Sequence, residues 1–503
     1  MRNMFVLFCL LAITGLPALF SNPATHPGKL AESRQSLRYD TLYVNADINI
    51  ADRDSLIINP GTVVMFMGHY SIHVQGRLIA EGTQTDSIIF TVSDTTGFSN
   101  IYSPTGGWNG MLFENTHPDN DSSLFAYCRF EYGKAIGDSV NSLGGAVRVD
   151  DFGKVRFSNS VFQHNYSFTR GAGIHCYKSD IIVEHCHFKN NYSGNDLPEL
   201  YGYGAGMNFV SANPTIRHCT FINNESTGIG GGISFEFSKP EMINCIFTGN
   251  HSALGGAIGF LRCAPDRTIA NVLVNNNTAT FFGGGIANIT GSPRLSNFTI
   301  VNNNAAMGGG YYCNEWAYPQ LFNSILWGNT GAEPNNPDGS QVWIWDVYSE
   351  PGFYNCAVQY GTVAFGGSMF SGDYVNCIES NPMFTNPANF DFTLSEGSPC
   401  INAGTSDTTG LLLPDFDLLM NPRIIHSIID MGAYEYDGPF GGLIPGDANC
   451  DGLVNVSDVI SMVNYIMNLN PQPFCFENAD INDDGVINVT DVTETIGIIM
   501  AGR

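Results

Sequence analysis

Positive charge is what this sequence most lacks. Its 503 residues hold 21 Lys and Arg against 47 Asp and Glu, a formal net charge of −26. That balance argues against nucleic acid or an anionic membrane as partner, and fits cation binding and solubility outside the cell. Charge of either sign is sparse at 14%, while glycine reaches 56 residues, which favours strands and turns over long surface helices. Beyond the first residues no apolar run approaches the twenty needed to span a bilayer, so no transmembrane segment is expected. The chain has 13 cysteines, yet none stand two to four residues apart as metal-binding cysteines do.

Residues 1–24 read as a secretory signal peptide. Arg2 supplies the charged start, positions 4–20 are apolar, and the cleavage point falls between Ala18 and Ala24. Cys9 lies in this leader, which leaves 12 cysteines in a mature, secreted or surface-exposed chain where disulfides are permitted. Residues 25–40 read as a polar, disordered start. From Thr41 onward short β-rich runs alternate with turns, and no helical period appears.

An internal repeat then becomes plain. Glycine-rich triplets end at Ala146, Gly173, Gly206, Gly232, Ala257, Gly285 and Gly310, with gaps of 27, 33, 26, 25, 28 and 25 residues. In phase with them run Cys128-x-Phe130, Ser160-x-Phe162, Cys186-x-Phe188, Cys219-x-Phe221, Cys245-x-Phe247, Phe298-x-Ile300, Ser324-x-Leu326 and Cys356-x-Val358. An asparagine follows at 165, 191, 224, 250, 277, 304 and 329. Short strands at this period, with no helices between, make a β-solenoid of about a dozen coils. After each glycine cluster alternate residues are apolar and face in: Val147/Val149, Ile174/Cys176, Met207/Phe209, Ile233/Phe235 and Ile258/Phe260. The recurring cysteines read as a core ladder, and the asparagines as corner residues whose amides bond to the next coil, not as glycosylation acceptors.

On these repeats, residues 41–375 resemble the right-handed parallel β-helix of the pectin-lyase-like superfamily. Residues 376–436 include Asn381-Pro-Met-Phe384, Gly397-Ser-Pro-Cys400 and Asp430-Met-Gly-Ala-Tyr434, and resemble the closing segment of secreted bacterial β-helix proteins of the choice-of-anchor Q type. Such a segment is expected to cap the open end of the solenoid. Residues 437–445 read as a Gly/Pro linker.

Two near copies occupy the tail. Asp447, Asn449, Asp451, Asn455 and Asp458 around Gly452 are matched 33 residues on by Asp480, Asn482, Asp484, Asn488 and Asp491 around Gly485. Oxygens at loop positions 1, 3, 5, 9 and 12 with glycine at 6 are what a hard cation such as Ca²⁺ requires. An apolar helical stretch follows each loop: Val459, Met462, Val463, Ile466 and Met467, then Val492, Ile496, Ile499 and Met500. Residues 446–503 resemble a type I dockerin, a duplicated EF-hand-like module that plugs into cohesin receptors. The resemblance implies two structural Ca²⁺ ions, with the carbonyls of Leu453 and Val486 completing the ligand sets. It also implies partner recognition at Val456-Ser457 and Val489-Thr490. Cys475, between the halves, is placed to pair with Cys450; the alternative is two free thiols.

For chemistry on the rod, the outward Arg148, Asp150, Asp151, His175, Tyr177 and Glu236 are the candidates for an acid–base set, though spread over four coils. A solvated outer face is the plainer expectation for them. His185, His187 and His218 sit on neighbouring coils, and Tyr177, Trp316 and Tyr318 are outward aromatics suited to stacking on sugars. Trp343 and Trp345 fall in an irregular insertion. The sequence thus predicts a mainly β rod with a small helical calcium module, tethered outside the cell and binding polysaccharide or a surface ligand. The alternatives are a polysaccharide lyase or glycoside hydrolase, and a structural spacer.

Overall fold

The computed structural model describes residues 34–37, 41–137, 139–197, 201–264, 266–331, 337–425, 428–438, 444–469, 471, 474–482 and 484–501. The signal peptide and residues 439–443 of the expected linker lie outside these. Part of the stretch expected to be disordered is instead a strand: Arg34–Leu37 pairs in parallel with Ser55–Ile58 and starts the first coil.

Three parallel sheets wind into a solenoid. One has twelve strands, one per coil, from Ile48–Ile50 to Phe365–Gly367. A second has 22 strands, and a third has seven, from Lys134–Ala135 to Asn304–Met307. Twelve coils stacked at the usual strand spacing give a rod on the order of 53 Å long. Among the described residues, the one antiparallel strand pair, Phe384–Asn386 with Asp391–Leu394, lies after the last coil.

The period-two alternation dictates the core. Val147, Val149, Ile174, Cys176, Met207, Phe209, Ile233, Phe235, Ile258 and Phe260 are all fully buried. Phe90, Phe130, Phe162, Phe188, Phe221 and Phe247 form an unbroken ring stack, with successive centroids 4.8, 4.6, 4.7, 5.0 and 4.4 Å apart. Each such side chain contributes about 1.5–3 kcal/mol by leaving water. Cys128, Cys186, Cys219 and Cys245 line the same interior as free thiols. They donate to nearby carbonyls, as Cys186 Sγ does to Glu184 O at 3.3 Å.

The corner divides its work between adjacent residues. His164, Asn190, Asn223, Asn276 and Asn302 take left-handed φ values of 51–55°. The residue after each faces inward. Asn165, Asn191, Asn224, Asn250, Asn277, Asn303 and Asn329 are at most 3% exposed and form one amide ladder. Asn224 Nδ2 donates to Phe188 O and Asn250 Oδ1 at 2.9 and 3.0 Å, while Asn224 Oδ1 accepts from Asn191 Nδ2 at 2.8 Å. The sixth member of the ladder is Asn303; Asn304, expected from the spacing, is exposed beside it.

The segment expected to cap the open end does something else. Residues 384–425 and 428–436 run back along the side of the rod. Phe392, Ala433 and Tyr434 cover the outward Leu273 and Val301, and Leu394, Cys400 and Met431 cover Ile325 and Ala357. Those four residues are apolar on a face that would otherwise meet water, which is why the strap lies there. A column of left-handed asparagines receives it. Asn244, Asn271 and Asn297 donate to the carbonyls of Asp417, Phe416 and Asp430, and Asn323 Oδ1 accepts from Thr405 N.

The tail holds α1 (Val456–Ile466), α2 (Phe476–Ala479) and α3 (Val489–Ala501). Ala448, Met462, Ala479, Ile487 and Val492 make its small core. Only part of the expected helix faces is inward. Met462, Val492 and Thr495 are buried, whereas Val463, Ile466, Met467, Ile496 and Met500 are exposed.

Candidate functional site

The outward row of the twelve-stranded sheet was expected to meet solvent. Arg148 and His175 are each 3% exposed, and Asn208 and Ser234 are fully buried. The glycine clusters explain this, because the chain folds back across the sheet's outer face. A Cβ on Gly171, whose φ is 61°, would lie 2.8 Å from His175 Cα, and one on Gly204 would lie 2.7 Å from Ser234 Oγ. Only glycine permits this approach and this φ. A closed, glycine-lined layer therefore stands where a binding groove was sought.

The acid–base candidates do not converge. Arg148 pairs with Glu114 and Asp150, the latter at 3.0 Å. Glu236 is held by Arg170 at 2.5 Å, and the Arg170 guanidinium lies over the Tyr203 ring. His175 bonds to Asn208 at 2.8 Å; burial, with the charges of Arg170 and Arg148, pushes its pKa down to about 3, so it stays neutral at physiological pH. Of the four, Arg148 and Asp150 meet; His175 and Glu236 are engaged elsewhere. His185 and His218 stack ring on ring at 4.6 Å, and His187 bonds to Thr220. Among the described residues, these histidines do not group as a metal cluster.

One constellation escaped the sequence reading. Ser71 Oγ lies 3.0 Å from His73 Nε2, and His73 Nδ1 lies 3.2 Å from Glu114 Oε1. This is the connectivity of an acyl-transfer triad. Two facts remove it from that role. Ser71 is 1% exposed, and its hydroxyl proton is given to Asp47 Oδ1 at 3.0 Å. The chain Asp47–Ser71–His73–Glu114–Arg148–Asp150 is thus a polar clasp across the first coils.

Exposed aromatics gather instead on the later coils. Trp316 and Tyr348 are 58% and 52% exposed and stack at 4.3 Å with planes 2° apart. Trp345, also exposed, stands edge-on to Phe282, which stacks on Tyr312. Trp343 belongs to the regular strand Val342–Ile344, not to an insertion. Trp316 was among the expected stacking residues; Tyr348 was missed because its partner lies one coil away.

In the tail, the two loops share a hydrogen-bond skeleton that differs at one bond, the last carboxylate accepting from loop position 3 in the first loop and position 2 in the second. Asp447 accepts from the N–H of Asp451 and Gly452, and Asp458 from those of Asn449 and Asn455. Asp480 accepts from Asp484 and Gly485, and Asp491 from Ile481 and Asn488. Gly452 and Gly485 both take the left-handed turn, with φ of 81° and 80°. In the first loop Asp447, Asp451 and Asp458 bring carboxylate oxygens within 4.8 Å of one another, the one such group among the described residues. Burial and the neighbouring Asp458 and Asp451 push Asp447 up to about 6. An all-oxygen set of mutually repelling carboxylates fits a hard divalent cation. Cys450 and Cys475 form a disulfide that ties this loop to the start of α2.

Comparison with known proteins agrees with this division. Residues 118–306 are a right handed beta helix region, and residues 445–499 are a dockerin type I domain. The chain thus combines a region that matches the right handed beta helix model with a C-terminal region that matches the dockerin type I model. No curated protein matches it. Among solved structures it is similar to pectate lyase Pel9A, at 14% identity over 75% of this chain and 89% of that one, with a TM-score of 0.31. It is also similar to tailspike protein 3 of bacteriophage CBA120, at 12% identity over 70% of this chain and 57% of that one, with a TM-score of 0.26. No helix among the described residues is long and apolar enough to cross a membrane.

Proposed function

We propose that this protein is an extracellular recognition rod that binds polysaccharide and is tethered through its dockerin to a cohesin-type receptor. The observation that carries the reading is a contrast on the rod. Arg148, Asp150, His175 and Glu236 are paired or sealed, while Trp316, Trp345 and Tyr348 stand in solvent. General acid–base chemistry needs a titratable group within reach of substrate; sugar recognition needs exposed rings.

In this reading each tail loop holds one structural Ca²⁺. The side chains of Asp447, Asn449, Asp451, Asn455 and Asp458 with the Leu453 carbonyl would hold the first. Asp480, Asn482, Asp484, Asn488 and Asp491 with the Val486 carbonyl would hold the second. The cohesin-facing surface would centre on Val456-Ser457 and Val489-Thr490. Two exposed apolar stripes related by the 33-residue repeat support this: Val456, Ile460, Val463 and Met467 on α1, and Val489, Ile496 and Met500 on α3.

The test is to incubate the full chain with a panel of polysaccharides and follow both retention and chemistry. Retention without new reducing ends or unsaturated products supports the reading. Turnover that disappears in Arg148→Ala or Asp150→Ala would replace it with an enzyme.

A further inference from the structure

The exposed rings and the charge around them specify which polysaccharides the rod takes. Trp316 has a φ of 64° and Glu315 before it 58°, so a bulky side chain sits in the left-handed region that such residues avoid. Conformations of this kind persist only where the surroundings impose them, and they concentrate at functional positions. Here the surroundings are explicit. Asp346 accepts from the N–H of Glu315 at 2.6 Å and from that of Tyr348 at 2.8 Å, and from Ser349 Oγ at 3.1 Å. Ser349 Oγ in turn accepts from Ala317 N at 3.1 Å. One carboxylate thus fixes the backbone carrying both rings, and the pair is set before any ligand arrives.

The indole also keeps an open face. Tyr348 covers one side. The indole nonetheless stays 58% exposed. Trp345 adds a third exposed ring from the same coil as Tyr348, packed edge-on against Phe282 and not on the pair itself.

The charge around this platform has one sign. Between Arg294 and Arg423 the sequence contains no lysine, arginine or histidine. Glu315, Asp346 and Glu350 lie on the two segments that carry the rings. The cation that precedes Glu315 in its own corner column is Arg262, two coils away and laid over the Phe237 ring. A polyuronate brought here would meet carboxylates and find no counter-charge. A pyranose without a carboxylate offers what the platform can use: a patch of C–H bonds for the indole face and hydroxyls for the surrounding carboxylates.

We propose that Trp316, Tyr348 and Trp345 form a binding platform for neutral glycans, and that acidic polysaccharides are excluded from it. This rests on the reading of the rod as a polysaccharide binder and narrows its ligand class.

The experiment measures binding of the full chain, in calcium, to soluble xyloglucan, mixed-linkage β-glucan and galactomannan, and to polygalacturonate and alginate. The variants are Trp316→Gly, Trp316→Phe, Tyr348→Ala and Trp345→Ala. Trp316→Gly is the decisive one, because glycine adopts φ of 64° without strain and so keeps the turn while removing the ring. The expected result is binding to one or more neutral glycans, weakened roughly tenfold or more in Trp316→Gly, a loss of about 1.4 kcal/mol, and largely restored in Trp316→Phe. Polyuronate binding indifferent to these substitutions overturns the platform and leaves the polysaccharide reading standing. Binding to none of the five polymers overturns both. Self-association that depends on Trp316, seen by sedimentation, overturns the platform in favour of a contact between copies of this chain.

Discussion

Arg423 Nη1 donates to Asn271 Oδ1 at 3.0 Å across 152 residues of sequence, while its Nη2 meets Glu435. Arg423, Glu435, Asp417 and Asp430 are all at most 4% exposed, so a polar knot fastens the strap to the side of the rod. Removing Arg423 leaves the buried oxygens of Asn271 and Glu435 without this donor, at a cost of about 1–3 kcal/mol for each orphaned group. Arg423→Ala is therefore expected to free the strap. Limited proteolysis should cut within residues 376–436 while the coils before it stay intact. Uniform resistance in the variant would mean that apolar contacts alone hold the strap.

The same knot sets a pH dependence. Burial raises Asp430 to about 6 and Glu435 to about 8, against the pull of Arg423. In the unfolded chain both ionise near 4. Between these values the folded state holds more protons than the unfolded one, so stability falls as pH rises. The contribution is full below about pH 4 and is lost as pH passes through about 6 and then about 8. Strap melting followed from pH 5 to 9 should show a declining Tm. A Tm that climbs across this range would contradict the burial of these carboxylates.

The Asn303 and Asn304 neighbours offer an internal control. Asn303 is sealed in the amide ladder, bonded to Asn329 Oδ1, Val274 O and Asn277. Asn304 is exposed and reaches Thr330 at 2.8 Å. Alanine at 303 orphans several buried groups, each worth about 1–3 kcal/mol; alanine at 304 should cost about 0.5 kcal/mol or less. Chemical denaturation of the two variants measures the difference.

In the tail, the Cys450–Cys475 disulfide fastens the first loop but not the second. Calorimetry of the full chain should resolve two calcium ions, and mild reduction should weaken the first loop's affinity and leave the second unchanged. Chelation should remove the helical signal of α1 and α3 while the β signal persists. Equal weakening of both loops on reduction would show that the disulfide acts on the module as a whole.

These contrasts mark what could be read without coordinates. The solenoid, its inward residues, its cysteine ladder and the duplicated loops all follow from local periodicity, which sequence displays directly. What local periodicity does not carry was misjudged. The outward Arg148 and His175 looked solvated because nothing in their own strand says that the glycine turn of the same coil folds over them. The strap looked like an end cap because its contacts lie far back in the chain, Asn323 by 82 residues and Asn244 by 173. One signal was present and passed over: the corner before the cysteine ladder is Tyr127, Asn159, His185 and His218 in early coils, then an unbroken run of Asn244, Asn271, Asn297 and Asn323 where the strap docks. The Trp316–Tyr348 stack likewise joins residues 32 apart that no motif links.

The central claim is that the rod recognises and the tail tethers, with calcium serving only the second. The most direct measurement applies the full chain to an immobilised neutral glycan and, separately, to an immobilised type I cohesin, each with calcium and then with chelator. The account predicts that glycan retention is unchanged by the chelator, while cohesin capture is lost. Release from the glycan on chelation, or cohesin capture that survives it, would contradict the account.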